Sequence, residues 1–460
     1  MAAFYAGASR VKLEPPVGIA MAGYGRRTGR SAGIHDGLAA QAVVIADGSS
    51  KGAIVTVDVL ALGIRICDSI ANKVAAASGI PAEAVMVCAT HTHSGPMFNI
   101  FATPSRDAAL TAIGDRDLEW ERALPDRIAR AVIEAGSAMR PAAIRAASAR
   151  FGLGTNRRLM RADGSIQLAP NYAGVADHEL KALAIHEADG GESPIAFLLN
   201  YACHGVVLCE DNLLYSRDWP GFAMDAIEES AGPGKPPIAL FAQGACGNID
   251  PVRRGSFEAA AAAGRQAAGL VQEALSRAPV TTPARVISRR VPLRMKLRDL
   301  SAPLALARAN ARQTELALAN HPGVSGVQLK RLRDQHQRSL EELGALEALQ
   351  DANRRDKRVD QAAGELATHM TILAIGSVAL VGVPGELFAE LGLAIKANPY
   401  FPQTFVLGYC NDLVGYLPTR EACELGGYEV ETSRIAQGGG ETIVYQALST
   451  LREISGESRT

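Results

Sequence analysis

The sequence predicts an α/β protein in which a mixed β-sheet core is flanked by helices and carries an inserted helical hairpin. Between residues 43 and 90, short runs rich in β-branched residues alternate with a helical segment, a pattern typical of α/β sheets. Residues 301–362 are instead rich in leucine, alanine and charged residues. With 460 residues, 48% of them hydrophobic, the chain can bury a large core.

The other elements follow in chain order. Residues 117–138 have the spacing of an amphipathic helix. Strand-like runs cover residues 181–187, 194–201, 238–243, 284–296, 369–383 and 404–409, with helices between several of them. We therefore treat residues 1–460 as one catalytic body that carries an insertion.

The insertion at 301–362 has a leucine stripe with charged residues between its members: Leu329, Leu332, Leu340, Leu343 and Leu346. This spacing predicts an antiparallel helical hairpin, broken at the His-Pro-Gly of 321–323. We expect the arm to cover the active site or to join two copies into a homo-oligomer. The alternative is a packed helical layer without a functional role.

Charge and cysteine content narrow the class of protein. Lys+Arg 47 against Asp+Glu 48 gives a net charge of -1, which provides no global attraction for nucleic acid or an anionic membrane. No apolar run reaches about 18 residues, and the first residues lack the order of a signal peptide, so we expect a cytoplasmic protein. The seven scattered cysteines form no CxxC pair, which argues against a disulfide framework and a thiolate zinc finger.

The segment CATHTHSGP at 88–96 places His91 and His93 after a strand-like run. Imidazole is the commonest metal ligand and the usual proton shuttle, and the ends of strands carry the sites of α/β sheets. We expect one histidine to bind a metal and the other to serve the substrate or support the metal ligands. A hydrogen-bonded pair without a ligand is the alternative.

Two later strands also end in polar residues. AFLLNYACH at 196–204 ends at His204, and the following SRDWPG contains Asp218, which could cap a helix or orient a metal-bound histidine. FAQGACGNIDP at 241–251 enters a glycine-rich turn, whose backbone N–H groups could bind an anion or simply form a tight turn. We interpret Cys246 in this turn as a buried structural thiol rather than a nucleophile.

The last two motifs lie in the C-terminal third. Glu386 follows a Val-Pro-Gly turn, and we expect it in the first turn of a helix, where a carboxylate is favoured by the macrodipole; helix capping alone would also explain it. GYCNDLVGYLPTRE at 408–421 has too many turn formers for a simple strand. From its residue type alone, Tyr416 is a core or substrate-binding residue.

In this order the motifs resemble the catalytic domain of the neutral/alkaline non-lysosomal ceramidase family. The matching segments, from residue 6 to about 450, are GASRVKLEPPVGIAMAGYG, GIHDGLAAQAVVI, ATHTHSGP, GTNRR, NYACH, SRDWPG, FAQGACGNIDP, VPGEL and GYLPTRE. The resemblance implies a single Zn²⁺ whose nitrogen and oxygen ligands suit that ion: His91, His204, Glu386 and Tyr416. It further implies that His93 is a second active-site histidine, that Tyr416 can also stabilise an oxyanion, and that Arg157 contacts the substrate.

The chain also departs from the family pattern. Ceramidases carry a serine in a GDxSP-like motif, whereas GNIDP places Asp250 there; this carboxylate could act as a general base or anchor a polar substrate. We expect this chain to lack the family's C-terminal immunoglobulin-like domain, and the arm at 301–362 has no counterpart among the family motifs. We expect a zinc hydrolase that cleaves an amide or ester bond in a small soluble substrate. The alternatives are a true ceramidase, a binding protein that lost the chemistry, and a lyase or isomerase using the same zinc.

Overall fold

A computed structural model of the chain describes residues 4–100, 116–188, 194–231, 236–320 and 326–457. It confirms the predicted α/β class. Two β-sheets pack face to face, and helices cover the outer face of each sheet. The inner faces share one apolar cluster, in which residues such as Ile54 of one sheet and Leu373 of the other are buried together.

The larger sheet has eight strands and is mixed, because two of its seven pairings are parallel and five are antiparallel. Its strands, in spatial order, are β12 (Ile238–Gln243), β10 (Pro194–Tyr201), β9 (Glu179–Glu187), β6 (Arg140–Arg150), β1 (Tyr5–Lys12), β3 (Ala39–Ala46), β4 (Lys51–Val57) and β5 (Val85–Ala89). β10 and β3 are buried along their whole length, as their continuous apolar sequence requires.

The second sheet is smaller and mostly antiparallel. The predicted single run 369–383 is two strands, because Gly376 at a φ of 58° turns the chain between them. The strands are β14 (Val286–Lys296), β16 (Glu365–Ile375), β17 (Val378–Gly382) and β19 (Gln403–Leu407), with β15 (Val359–Asp360) paired to β16.

Short strands form three further small sheets beside these two. They are β7 (Gly154–Met160) with β8 (Ile166–Asn171) and β13 (Ile249–Pro251), β2 (Gly33–Ile34) with β11 (Leu214–Tyr215), and β18 (Glu386–Leu387) with β20 (Tyr416–Leu417). In the last of these, Glu386 is the register partner of Tyr416. The tertiary structure thus places two predicted site residues, 30 positions apart in sequence, on neighbouring strands.

The outer layers are amphipathic helices. The larger sheet is covered by α1 (Ile64–Ser78), α2 (Leu118–Ser137), α3 (Asp218–Ser230) and α4 (Phe257–Ser276), and the smaller sheet by α7 (Ala389–Lys396) and α10 (Gly439–Glu457). The prediction for residues 117–138 is confirmed, since Asp117 caps α2 by accepting a hydrogen bond from the Trp120 amide. Two short helices, α8 (Arg420–Leu425) and α9 (Tyr428–Thr432), follow β20.

The predicted hairpin is formed by α5 (Ser301–Ala319) and α6 (Gly326–Arg355), while its predicted break at 321–323 lies outside the described residues. The helices are antiparallel, because Arg308 pairs with Glu347 at 3.0 Å and Thr314 contacts His336 at 3.0 Å. Leu346 is buried against Leu300, Leu304 and Ala307, whereas Leu340 is 44% exposed. The hairpin itself therefore covers the end of the stripe at Leu343 and Leu346, and homo-oligomer formation through the arm stays a prediction.

Within the described ranges, no helix combines the length and apolar character needed to cross a lipid bilayer.

Candidate metal centre and active site

Three histidines from two separate segments meet in one buried cluster. β5 ends at Ala89, and His91 then adopts a φ of 61°, which turns the chain out of the strand direction. His204 follows β10 by three residues. One nitrogen of each of His91, His93 and His204 lies within 4.8 Å of the others. His91 and His93, of which we expected only one to bind metal, therefore both reach the cluster, with their Nε2 atoms 3.0 Å apart.

Backbone carbonyls orient two of these rings. Nδ1 of His91 is 2.7 Å from the Leu60 carbonyl oxygen, and Nδ1 of His204 is 2.9 Å from that of Ile249. Each contact assigns a proton to Nδ1 and directs Nε2 into the cluster, which is how metal-binding histidines are held. Nε2 of His204 is buried and has no hydrogen-bond partner. A bound cation would give this nitrogen the partner that it lacks.

Glu386 supplies a carboxylate beside the histidines. Its Oε2 lies 3.7 Å from Nε2 of His204 and 4.0 Å from Nε2 of His91, and its side chain is 12% exposed. The expectation that Glu386 stands in the first turn of a helix is wrong, because it belongs to β18 and α7 begins at Ala389. The pairing of β18 with β20, rather than a helix dipole, fixes its position.

The protonation states of the cluster suit a divalent cation. Burial lowers the pKa of His91 to about 3 and that of His93 well below its usual value, so both rings are neutral. Burial alone raises the pKa of Glu386, but His204 and His91 lower it overall. Burial alone lowers the pKa of His204, whereas interactions with Cys246 and Glu386 raise it to about 10. The negative charge of Glu386 is thus balanced by a proton on His204. A bound cation would displace that proton and supply the positive charge instead.

Arg157 connects the other predicted active-site residues. Its Nη2 donates to the Tyr416 hydroxyl at 3.1 Å and to the Gly247 carbonyl at 2.9 Å. Its Nη1 donates to Asp250 at 3.0 Å, and its Nε donates to Glu429 at 2.8 Å. The guanidinium is only 8% exposed. In this structure Arg157 therefore positions Tyr416 and Asp250, and most of its N–H groups are already used.

Asp250 lies between two arginines. Arg157 pairs with its Oδ1 at 3.0 Å and Arg254 with its Oδ2 at 3.3 Å, and Nδ1 of His204 is 3.8 Å away. Burial raises the pKa of Asp250, but Arg157, His204 and Arg254 outweigh it and lower the pKa overall. A carboxylate with a lowered pKa is a weak base. Of the two roles considered for Asp250, general base and substrate anchor, the geometry therefore favours the anchor.

Sequence reasoning missed Tyr409. Its ring stacks on the His91 imidazole with centroids 3.9 Å apart, and its hydroxyl donates to Oε2 of Glu386 at 3.1 Å. The residue is 1% exposed and has a left-handed φ of 52°. Tyr409 thus contacts a histidine and the carboxylate of the cluster at once. The available signal was its place at the end of the strand-like run 404–409, and many core tyrosines share such a position.

Glu429 was also missed. It is fully buried between two arginines, with Oε1 accepting from Arg157 at 2.8 Å and Oε2 from Arg158 at 2.7 Å. Two adjacent arginines in a buried strand require a counter-charge, so the pair in GTNRR was a signal. That signal could not indicate which carboxylate pairs with the arginines. Glu429 lies 272 residues from Arg157 and 271 from Arg158 in the sequence.

The glycine-rich turn after β12 does not offer the free amides considered above. The N–H groups of Gly244 and Gly247 donate to the carbonyls of Tyr201 and Leu387, and that of Cys246 donates to Gly244. For these three groups the structure therefore agrees with the second alternative, a tight turn. Cys246 is fully buried with its Sγ 3.3 Å from the Tyr409 hydroxyl, in agreement with a structural thiol.

Asp218 fills neither of the two roles considered for it. Its carboxylate accepts from the amides of Val207 at 3.1 Å, Leu208 at 2.8 Å and Trp219 at 2.7 Å. It therefore holds the loop that follows His204, although it does not touch the ring. Trp219 adds to this support, because its indole N–H donates to the His204 carbonyl at 3.1 Å.

Two packed sheets between helical layers, with a buried histidine and carboxylate cluster at the strand ends, define a candidate metal-dependent enzyme. The family model described as neutral/alkaline non-lysosomal ceramidase, N-terminal, matches residues 7–281, which is more than half of the chain. The chain belongs to that family. It is 27% identical over 253 residues to the neutral ceramidase of Mycobacterium tuberculosis (strain ATCC 25618 / H37Rv), in a match covering 50% of this chain and 37% of that protein.

Solved structures share the fold. The crystal structure of neutral ceramidase from Pseudomonas aeruginosa superimposes with a TM-score of 0.72 at 18% identity, covering 98% of this chain and 75% of that one. A ceramidase complexed with C2 gives a TM-score of 0.73, also at 18% identity, covering 99% of this chain and 76% of the other. At this identity the similarity establishes a common architecture.

Proposed function

We propose that this chain is a zinc-dependent hydrolase that cleaves an amide bond, or an ester, through metal-activated water. The observation that carries the proposal is the inward orientation of two ring nitrogens: Nε2 of His91 and of His204, each fixed by a backbone carbonyl on the opposite nitrogen, beside the Glu386 carboxylate. Membership of the ceramidase family supports hydrolysis of a carbon–nitrogen bond.

The residues fit a zinc ion. His91, His204 and Glu386 would hold it, and Tyr416, the register partner of Glu386, is the fourth proposed ligand. Two imidazoles with oxygen donors are a usual zinc environment. When bound, zinc polarises a carbonyl group and lowers the pKa of a bound water toward about 7.

The chain's own residues would orient the substrate and move its proton. Nδ1 of His93 is buried without a hydrogen-bond partner, and its Nε2 faces the cluster, so this ring can carry a proton between its two nitrogens. The Tyr416 hydroxyl accepts a hydrogen bond from Arg157. Once released from zinc, its O–H would donate to a substrate carbonyl oxygen. That oxygen becomes negatively charged during acyl transfer.

By the resemblance described above, Asp250 takes the place of the family's serine, and we propose that it anchors the substrate. Its side chain is 22% exposed, so an oxygen remains accessible. An ionised carboxylate held by two arginines would accept a hydrogen bond from a hydroxyl or amine of the substrate. The substrate we propose is a small soluble amide; ceramide, which the related proteins are named for, is the second candidate.

Metal analysis tests the centre. Purified protein should contain about one zinc per chain, and His204→Ala should contain almost none, because the remaining ligands cannot close the site. His186→Ala is the matched control, since His186 lies on β9 near the opposite end of β10 from His204. Full zinc content in His204→Ala would refute the ligand assignment.

A substrate panel tests the reaction. The zinc-loaded protein should hydrolyse members of a series of N-acyl amides of increasing acyl length, with matching esters and ceramide in parallel. A preference for short acyl groups supports the soluble substrate, and a preference for ceramide supports the second candidate. If the zinc-loaded protein hydrolyses no member of the panel, yet binds some of them, the protein is a binding module that has lost the chemistry.

A further inference from the structure

A cleft of about 790 Å³ lies between the helical arm and the body of the protein. Its lining contains none of the residues assigned above to the metal centre or to catalysis. The volume is within the range of roughly 300–1,000 Å³ that is usual for small-molecule sites. The cleft is therefore a second concave site, separate from the histidine cluster.

One wall of the cleft is apolar. α6 contributes Ala345, Leu346 and Leu349, which share one face of the helix, and Leu413 and Val414 line the cleft from the body. Leu346 and Val414 are buried, while Leu349 and Leu413 are half-buried. Such a wall accommodates a hydrocarbon chain, because each buried CH₂ contributes about 0.8 kcal/mol.

The cleft also presents a guanidinium with an unused donor. Arg434 donates through Nε to Asn353 at 2.9 Å and through Nη1 to Asp356 at 3.2 Å. Its Nη2 is buried and has no partner among the described residues. Arg358, the neighbouring cation, is already paired with Asp356 and Asp412. A buried donor without an acceptor is costly, so an acceptor from a ligand would stabilise this position.

The charges that line the cleft favour a ligand with one negative charge. The lining contains five arginines and four carboxylates, which leaves a formal excess of one positive charge: Arg65, Arg298, Arg355, Arg358 and Arg434 against Glu342, Asp351, Asp356 and Glu431. A monoanion balances that excess, whereas a dianion such as a phosphate monoester would exceed it. A single free nitrogen on Arg434 suits one oxygen of a monoanion.

We propose that this cleft binds a single-chain amphiphile with a carboxylate head group. The head accepts a hydrogen bond from Nη2 of Arg434, and the chain lies along the apolar face of α6. This inference goes beyond the proposed hydrolysis. The site adjoins the catalytic segment, because Gly415 lines the cleft and its carbonyl accepts from the Glu386 amide at 3.0 Å. An occupant would thus contact the backbone that positions Glu386 and Tyr416.

Calorimetric titration of the full chain with dodecanoate, below its micellar concentration, tests the proposal. Dodecanoate should bind saturably, and acetate or dodecylamine should bind at least about tenfold more weakly, since one lacks the chain and the other reverses the charge. No saturable binding of dodecanoate, or equal binding of dodecylamine, overturns the proposal. The readout is binding, so the result is independent of whether the protein hydrolyses amides.

Variants locate the bound molecule. Leu349→Glu places a charge on the apolar wall and Arg434→Gln removes the head-group donor, and each should raise Kd by about tenfold or more. Their matched controls are Leu340→Glu, at a 44% exposed leucine of α6 that does not line the cleft, and Arg354→Gln, also outside the lining. Both controls should bind as the wild type does.

Two outcomes would place dodecanoate elsewhere. Unchanged binding in Leu349→Glu overturns the proposal even if Arg434→Gln fails to fold, because the half-buried Leu349 has no hydrogen bonds to lose, whereas Arg434 holds Asn353 and Asp356. His204→Ala should bind dodecanoate as the wild type does. Loss of binding in that variant would place the carboxylate in the metal centre and also overturn the proposal.

Discussion

Glu429 is the buried counter-charge of the two adjacent arginines at the candidate active site, and replacing it with glutamine tests the whole ion-pair network. Its carboxylate is fully buried and accepts from Arg157 at 2.8 Å and from Arg158 at 2.7 Å. Glutamine has almost the same shape, but it removes the charge and turns an NH₂ group toward one guanidinium. Glu429→Gln therefore perturbs electrostatics with little change in volume.

The expected cost follows from the partners that remain. Removing one member of a buried ion pair costs about 3–5 kcal/mol. Arg157 would keep Asp250, and Arg158 would keep the Gly426 carbonyl at 2.6 Å, so we expect the lower end, about 3 kcal/mol of unfolding free energy. Because Arg157 also positions the Tyr416 hydroxyl, turnover should fall by about tenfold or more.

Denaturant unfolding and steady-state kinetics measure both effects. Glu431→Gln is the matched control, because Glu431 lies two residues away on the same short helix and is exposed. The control should lose less than about 0.5 kcal/mol, as is usual for surface substitutions. Equal stability of the two variants, with equal kcat, would show that the arginines do not depend on Glu429 and would refute the reasoning.

Three further predictions concern the site and the pH dependence of stability. Asp250→Asn should retain zinc but raise KM more than it lowers kcat, as expected of an anchor; a fall in kcat of about 10²-fold or more with unchanged KM would instead identify a general base. Tyr409→Phe should weaken zinc affinity by roughly 10- to 100-fold in a chelator competition, because it loses the hydrogen bond to the carboxylate; Tyr201→Phe, another buried tyrosine that bonds a backbone carbonyl, should not. Burial and, to a smaller extent, Arg290 lower the pKa of His369 from 6.5 to about 4. Between these two pH values, His369 binds a proton in the unfolded chain but not in the folded chain. The free energy of unfolding should consequently fall on acidification by up to about 1.4 kcal/mol per pH unit there, and an unchanged slope in His369→Gln would contradict this.

Local patterns were sufficient to predict most elements. Strands such as β10 are buried on both faces and therefore appear as continuous apolar runs, while α2 shows both a periodic apolar face and an aspartate cap. The errors occur where one glycine or one strand pairing decides the outcome. Gly376 divides a single apolar run into two strands, and Glu386 lies in a strand because β20 is available to pair with it.

The sequence by itself determined which residue types could do chemistry, because histidines and a carboxylate next to strand ends are visible as short motifs. It also argued against a thiolate zinc finger, since its cysteines form no CxxC pair. The hairpin was predictable for the same reason: its stripe is a local periodicity.

Only the tertiary structure decided how those groups meet. The left-handed backbone at His91 brings His93 into the cluster, and the contacts of Tyr409 and Glu429 join residues 23 to 272 positions apart. Such contacts depend on how sheets and loops pack, and no local preference of the chain encodes a partner at that distance. The role of Asp250 was likewise open in the sequence, because a carboxylate's basicity is set by the arginines that the fold places around it.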